Sequence, residues 1–163
     1  MTGTQAIRTT LLSSHQVLNW FLADLSDADL LVRPVPGANH IAWQLGHLIL
    51  AERKNGQYLP QVAFPELPAG FEQQHSRDTV AVEPPVGFLG KAEYVALLDG
   101  VRQATLAALD LATDADLDRP VEGPMAAFAP TVGAMALLVA SHSMMHAGQF
   151  SAVRRKLGKP VLF

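Results

Sequence analysis

Two histidines four residues apart, His142 and His146, stand in a stretch that has no charged residue from Gly123 to Val153. On a helix, residues i and i+4 share one face, so the two imidazoles would project side by side. Two imidazoles placed this way can bind one metal ion. The spacing alone also fits two unrelated core histidines, each hydrogen-bonded to a carbonyl group.

A third histidine, His47, lies in the middle of another apolar helical pattern. Burying three unpaired imidazoles is costly, because each carries polar nitrogens that need partners. One shared metal ion would satisfy all three, and three histidine ligands leave a position open for water or substrate. We therefore predict a metal centre at His47, His142 and His146.

Each metal-binding imidazole needs an acceptor for its second ring nitrogen. The candidates are Gln44, Gln149, Ser143 and backbone carbonyls, and with Trp43 the two glutamines are also our candidate pocket residues. The sequence does not choose among them. We expect His15 to be a half-exposed helical residue, and we expect His40 either to begin its helix or to approach the pocket mouth.

Two kinds of catalysis are excluded by single residue types. Ser143 occupies the position where the HExxH pattern of zinc proteases has its glutamate. The chain has no cysteine, which removes disulfides, cysteine zinc sites and a protein thiolate nucleophile. Imidazole ligands suit several divalent metals. We expect zinc or nickel first, with manganese or iron as alternatives.

Helical periodicity predicts an all-α fold with four long helices over residues 5–25, 40–58, 91–111 and 132–157. Asn39 is the predicted N-cap of the second helix and Thr131 that of the fourth, whose inward face is predicted to include Gln149. Residues 52–54 are expected to begin a solvated end. The proline-rich segment 59–88 predicts a long crossover loop between the second and third helices.

A short repeat supports this organisation. Ser26-Asp27-Ala28-Asp29-Leu30 recurs as Thr113-Asp114-Ala115-Asp116-Leu117, and each copy is followed shortly by Arg-Pro. Both copies have the capping-box spacing. They predict two similar helical hairpins that form one four-helix bundle over residues 1–163.

Composition limits the partners. The net charge is −3, and no basic stripe appears, so nucleic-acid binding is not expected. The long uncharged run is interrupted by prolines, histidines and serines, which argues for a buried helix rather than a membrane span. The first residues lack the pattern of a signal peptide, so we expect a cytoplasmic location.

The stretch Asn39 to Leu48, followed by Ala51-Glu52, resembles the second-helix signature of DinB-like (YfiT-like) proteins, a family of metal-dependent enzymes. The stretch from His142 through His146-Ala147-Gly148-Gln149-Phe150 to Pro160 resembles their last-helix signature. The resemblance implies a four-helix bundle, usually a homodimer, with a metal ion on His47, His142 and His146. One departure is His40, where serine or threonine is common.

The resemblance also implies a function, because family members with known activity are largely transferases for low-molecular-weight thiols. A small-molecule thiol, activated on the metal, would attack an electrophilic substrate. One alternative is a metal-dependent hydrolase, which needs a nearby base; Glu52 is turned away from the face of His47, and His15 and His40 are the remaining candidates. The other alternative is a non-enzymatic domain that binds small molecules.

Overall fold

The computed structural model describes residues 1–162, and within them the helices fall close to the predicted positions. The helices are α1 (Gly3–Leu22), α2 (Asp27–Leu30), α3 (Ile41–Gly56), α4 (Phe71–Gln74), α5 (Lys91–Leu111), α6 (Asp114–Asp118) and α7 (Val132–Lys156). Two 3₁₀ turns cover Arg77–Thr79 and Pro124–Ala127. No strand forms among the described residues, so the predicted all-α class is confirmed.

The predicted caps are present at both copies of the short repeat. Ser26 and Asp29 form a reciprocal capping box at α2, and Thr113 and Asp116 form the matching box at α6. Thr131 caps α7 through its side chain. These caps satisfy amide groups that have no partner inside the helix, which fixes where each helix begins.

The end of α7 is a Schellman turn. Gly158 has φ +69°, the left-handed region that glycine adopts without a steric penalty. The Gly158 and Lys159 amides donate to the carbonyls of Arg155 and Arg154, respectively. Arg154 lies in the last turn of α7 and is buried, and its guanidinium donates to the Phe21 carbonyl and to the Asp24 carboxylate.

The four long helices pack in the cyclic order α1, α7, α3, α5, and α5 closes the ring against α1. Their buried apolar residues form two clusters, one toward each end. The first cluster contains Leu18, Leu48 and Val101, and the second contains Leu11, Leu106 and Val139. This separation leaves a middle layer to which each of the four helices contributes one polar residue.

The middle layer is polar and connects all four helices. The Arg102 guanidinium on α5 donates to both carboxylate oxygens of Glu52 on α3, at 2.8 and 2.9 Å. It also donates to Ser14 of α1 and Ser143 of α7, at 3.2 and 3.3 Å. We call these four residues the polar layer. All four are buried, so the prediction that Glu52 begins a solvated end is wrong.

Two predicted helix limits also differ. The first helix ends at Leu22 rather than Leu25. The second begins at Ile41, and its N-cap is His40 rather than Asn39. The Nδ1 atom of His40 accepts a hydrogen bond from the Trp43 amide at 3.2 Å. The imidazole therefore caps the helix, as a serine, threonine, aspartate or asparagine side chain usually does.

The long connection between α3 and α5 contains two short helical segments, α4 and a 3₁₀ turn. It is tied back to the helices at several points. The Trp43 indole Nε1 donates to the Ser76 carbonyl and to Thr79 Oγ1, both at 3.2 Å. The Arg33 guanidinium donates to the carbonyls of Val80 and Val82.

A membrane span is not among these helices. None of those within residues 1–162 combines the length and the apolar composition that crossing a bilayer requires.

Candidate metal centre

The structure brings the three predicted ligands together. The Nε2 atom of His142 lies 3.3 Å from Nε2 of His47 and 3.2 Å from Nε2 of His146. One ligand atom from each of the three residues lies within 4.8 Å of the others. Nitrogens bound at about 2.0–2.1 Å to a tetrahedral ion lie roughly 3.3–3.4 Å apart. The two separations fit that edge length, so the three histidines can hold one metal ion.

The centre joins helices that are distant in sequence. Helix α7 supplies two ligands one turn apart, and α3 supplies the third from across the α3–α7 contact. His142 is directly followed by Ser143 of the polar layer, and Glu52 lies five residues after His47. The centre therefore lies beside the polar layer, and on α7 its two ligands fall between the residues of the two apolar clusters.

Hydrogen bonds to Gln44 fix the tautomer of His146. The Gln44 Nε2 amide donates to the Asn39 carbonyl at 2.9 Å, which places the amide oxygen toward His146. That oxygen lies 2.8 Å from His146 Nδ1, so Nδ1 must carry the proton. Nε2 is then unprotonated and has its lone pair available for a metal ion. Such outer partners orient metal-binding imidazoles and make them more basic.

Trp43 holds the plane of the third ligand. Its indole stacks on the His47 ring, with 5.2 Å between centroids and 9° between planes. Because Trp43 Nε1 also binds the long connection, the orientation of His47 is coupled to the position of that segment. The Trp43 side chain is 6% exposed, so it serves as a wall behind His47 rather than as part of the open cleft.

The imidazoles of the centre are held neutral. Burial lowers the pKa of His142 to about 4 and that of His146 to about 3, and repulsion among the three imidazoles adds to the effect. Burial also lowers the pKa of His47, and the nearby Arg77 guanidinium lowers it further. Since only the neutral ring has a free nitrogen for a metal, these ligands need not lose protons at neutral pH.

A cleft of about 420 Å³ reaches the centre from outside. His47 and His142 form its inner end, while His146 lies behind them. The remaining wall is largely apolar, with two cationic side chains and one amide: Leu50, Ala51, Met125, Leu138, Lys54, Arg77 and Asn55. The space suits a small organic molecule.

Two of the predicted outer partners are placed elsewhere. Gln149 is exposed on α7 and is not on its inward face, which corrects the prediction that it faces the site. Ser143 belongs to the polar layer and donates to the Val139 carbonyl. Of the side chains considered from sequence, Gln44 is the one that binds a centre histidine in the structure.

The other histidines lie outside the centre. His15 is half-buried, as expected, and its Nε2 lies 2.6 Å from an Asp99 carboxylate oxygen. His40 is the cap of α3. His75 was missed by sequence reasoning. It is buried in the long connection, where Nε2 lies 2.7 Å from the Tyr94 hydroxyl.

Gly46 is the residue in the sequence from which the burial of a group such as His75 against α3 could have been predicted. The His75 ring lies against the α3 backbone, and a Cβ at Gly46 would be 2.0 Å from its Cδ2 atom. A glycine inside a helix is unfavourable by about 1 kcal/mol relative to alanine, so it suggests a close approach by another group. Gly46 therefore indicates that another group packs closely against α3 next to His47, but the sequence does not identify that group.

Comparison with known proteins agrees with the geometry. Curated proteins give no significant match, and solved structures give none either. Comparison with protein families matches residues 10–150 to the DinB superfamily. The matched range contains all three histidines of the centre, together with Trp43 and Gln44. This chain belongs to the DinB superfamily.

Proposed function

We propose that the protein is a metal-dependent transferase that joins a low-molecular-weight thiol to an electrophilic small molecule. The observation that carries the proposal is the position of the three-histidine centre at the inner end of a largely apolar cleft that has no carboxylate in its wall. Because the chain has no cysteine, the sulfur nucleophile must come from solution. Family membership supports the same reading.

His47, His142 and His146 would hold the metal, with zinc or nickel expected first. When bound there, a divalent metal supplies Lewis acidity that lowers the pKa of a thiol. The apolar side chains of Leu50, Met125 and Leu138 would hold the electrophile beside the histidines. A carbon–sulfur bond forms, the bond from that carbon to its leaving group breaks, and the thiol proton passes to solvent.

Metal content is the first test. Protein purified without a polyhistidine tag or chelator should carry close to one metal ion per chain, measured by elemental mass spectrometry. His146→Ala should lose the metal and retain most of the helical circular dichroism signal, because the apolar clusters do not include this side chain. A metal-free wild-type protein that gains no thermal stability with zinc, nickel, manganese or iron would refute the site.

Turnover is the second test. We expect a metal-dependent rate with monochlorobimane and at least one thiol among glutathione, bacillithiol, mycothiol and simpler thiols. Removing the metal should abolish the rate, and adding it back should restore it. A rate that is the same with and without metal for every thiol would contradict the proposal.

The hydrolase alternative lacks a base in the cleft. Glu52 is paired with Arg102 in the polar layer, His15 faces Asp99, and His40 caps α3. None of these three residues lines the cleft. Metal-dependent turnover of an ester or amide without added thiol would favour hydrolysis over thiol transfer.

A further inference from the structure

We infer that the cleft selects substrates that carry a negatively charged group, and that Lys54 and Arg77 make this selection. The inference rests on the proposed function only in taking the cleft as the substrate site. The charge preference itself follows from how the cleft is built. The anionic group could belong to the thiol or to the electrophile.

Lys54 lies on the same face of α3 as His47. Seven residues separate the two, which is close to two helical turns and about 10.5 Å along the axis. Both residues line the cleft, and Lys54 is exposed whereas His47 is half-buried, so Lys54 lies nearer the mouth of the cleft. An anionic group bound by Lys54 would lie several bonds from the atom that reacts at the histidines.

Arg77 reaches the cleft from the long connection, and its backbone is held there. Its neighbour Ser76 accepts a hydrogen bond from Trp43 Nε1, and Thr79 accepts a second one. Further along, the Arg33 guanidinium binds the Val80 carbonyl at 2.8 Å. Arg77 lines the same cleft as His47 and His142.

Both cations are available to a ligand. Each is exposed, and neither has a hydrogen bond or ion pair with another side chain within residues 1–162. No aspartate or glutamate lines the cleft. Other clefts contain acidic residues: the cleft beside α4 is lined by Arg53, Glu66 and Glu72, and the groove between α1 and α6 is lined by Asp114 and Asp118.

The chain as a whole carries a net charge of −3, so this cleft has the opposite sign to the molecule around it. A cleft of one sign with apolar walls concentrates its field and raises the local concentration of ions of the other sign. Complementary charges give specificity and faster association. We therefore expect a small organic anion, with an apolar part against Leu50, Met125 and Leu138.

The first experiment measures binding to metal-free protein and needs no turnover. The probes are two fluorescent dyes that differ by one sulfonate, 1-anilinonaphthalene-8-sulfonate and N-phenyl-1-naphthylamine. Lys54→Gln and Arg77→Gln should each weaken binding of the sulfonate dye about two- to fivefold, the effect of one exposed ion pair. Binding of the neutral dye should be unchanged. Arg155→Gln, an exposed cation at the end of α7, is the matched control.

The result that overturns the inference is equally direct. If the two dyes respond alike in the Lys54 and Arg77 variants, or if these variants behave like Arg155→Gln, the cleft does not select anions. The circular dichroism spectrum of each variant confirms that it is folded. This outcome is independent of whether the protein transfers thiols.

The second experiment identifies which substrate carries the charge. With a neutral electrophile, kcat/KM is compared for 3-mercaptopropionate, 2-mercaptoethanol and cysteamine. The comparison is made in wild type and in a double variant that combines Lys54→Gln with Arg77→Gln. A preference for the anionic thiol that the double variant loses assigns the charge to the thiol. If that preference is absent, kcat/KM is compared for an anionic and a neutral electrophile, with 2-mercaptoethanol as the thiol in both cases. A preference for the anionic electrophile assigns the charge to the electrophile.

Turnover without charge preference on either substrate would overturn the inference and leave the proposed function intact. Absence of turnover with every thiol would refute the proposed function, and the dye experiment would still decide whether the cleft selects anions.

Discussion

Gln44 determines which nitrogen of His146 faces the metal. The Asn39 carbonyl fixes the amide of Gln44, and the amide oxygen fixes the proton on Nδ1. Gln44→Ala should therefore lower metal affinity about 10- to 100-fold, the usual cost of losing such a partner. Competition with a chromophoric chelator measures the change. Gln149→Ala replaces the same residue type at an exposed position on α7 and should leave the affinity unaltered.

The sequence could identify the three histidines but not their partners. His142 and His146 are related by helical spacing, and His47 stands in a second apolar pattern, so all three could be named from local evidence. Gln44 and Gln149 were equivalent candidates, because both lie three residues from a predicted ligand. The difference between them comes from how α3 and α7 are rotated against each other, which depends on contacts across the whole structure.

The long connection depends on Trp43 for its attachment to α3. Trp43→Phe keeps an aromatic ring to stack on His47 but removes both hydrogen bonds from Nε1. We expect faster hydrogen exchange at residues 76–82, followed by mass spectrometry of peptides. Metal affinity should fall by much less than in Gln44→Ala, because the ligand nitrogens themselves are unaffected. Unchanged exchange in that segment would show that Arg33 alone is sufficient.

The helices were easier to predict than the connection between α3 and α5. Helical periodicity and capping residues are local signals, and they located α1, α3, α5 and α7 to within a few residues. His75 and Glu52 have no such signal. His75 is buried because Gly46 leaves room for it, and Glu52 is buried because Arg102, 50 residues away, neutralises it. Partners that distant cannot be recognised from one sequence.

Removing one partner from the ion pair of the polar layer should strongly destabilise the folded chain. Glu52→Gln would leave the Arg102 guanidinium buried and without its counter-charge, which typically costs about 3–5 kcal/mol. Urea denaturation should show this loss in the free energy of unfolding. Asp110→Asn is the control, since its partner Arg8 is exposed and such pairs contribute about 1 kcal/mol or less. An equal loss of unfolding free energy in Glu52→Gln and Asp110→Asn would contradict the prediction that the buried ion pair matters more than an exposed one.

Stability of the metal-free protein should fall as the pH is lowered from 7.5 to 5.0. Burial lowers the pKa of His40 to about 4 and that of His146 to about 3, while in the unfolded chain each has a pKa near 6.5. The unfolded state therefore binds more protons below pH 6.5. Each histidine then lowers the free energy of unfolding by up to about 1.4 kcal/mol per pH unit.

Urea titrations at four pH values in this range would measure how the free energy of unfolding changes with pH. Most carboxylates stay ionised in this range, so the change reports mainly on the histidines. A constant free energy of unfolding between pH 7.5 and 5.0 would contradict the prediction.

The polar layer has a consequence for how the helices are aligned along their lengths. Arg102 finds its partners on α1, α3 and α7 in one alignment. A shift of α3 by one turn would separate the buried charges of Arg102 and Glu52, and a shift of α1 or α7 would remove a serine partner of Arg102. Glu52 and Ser143 are close neighbours of His47 and His142 along their helices, so the same alignment brings the ligands of two helices to one point. Well-packed apolar residues in place of the ion pair can preserve stability in other proteins. In this protein, apolar replacements of Arg102 and Glu52 would remove the contacts that hold the helices in one alignment. Metal affinity would then fall before the free energy of unfolding does.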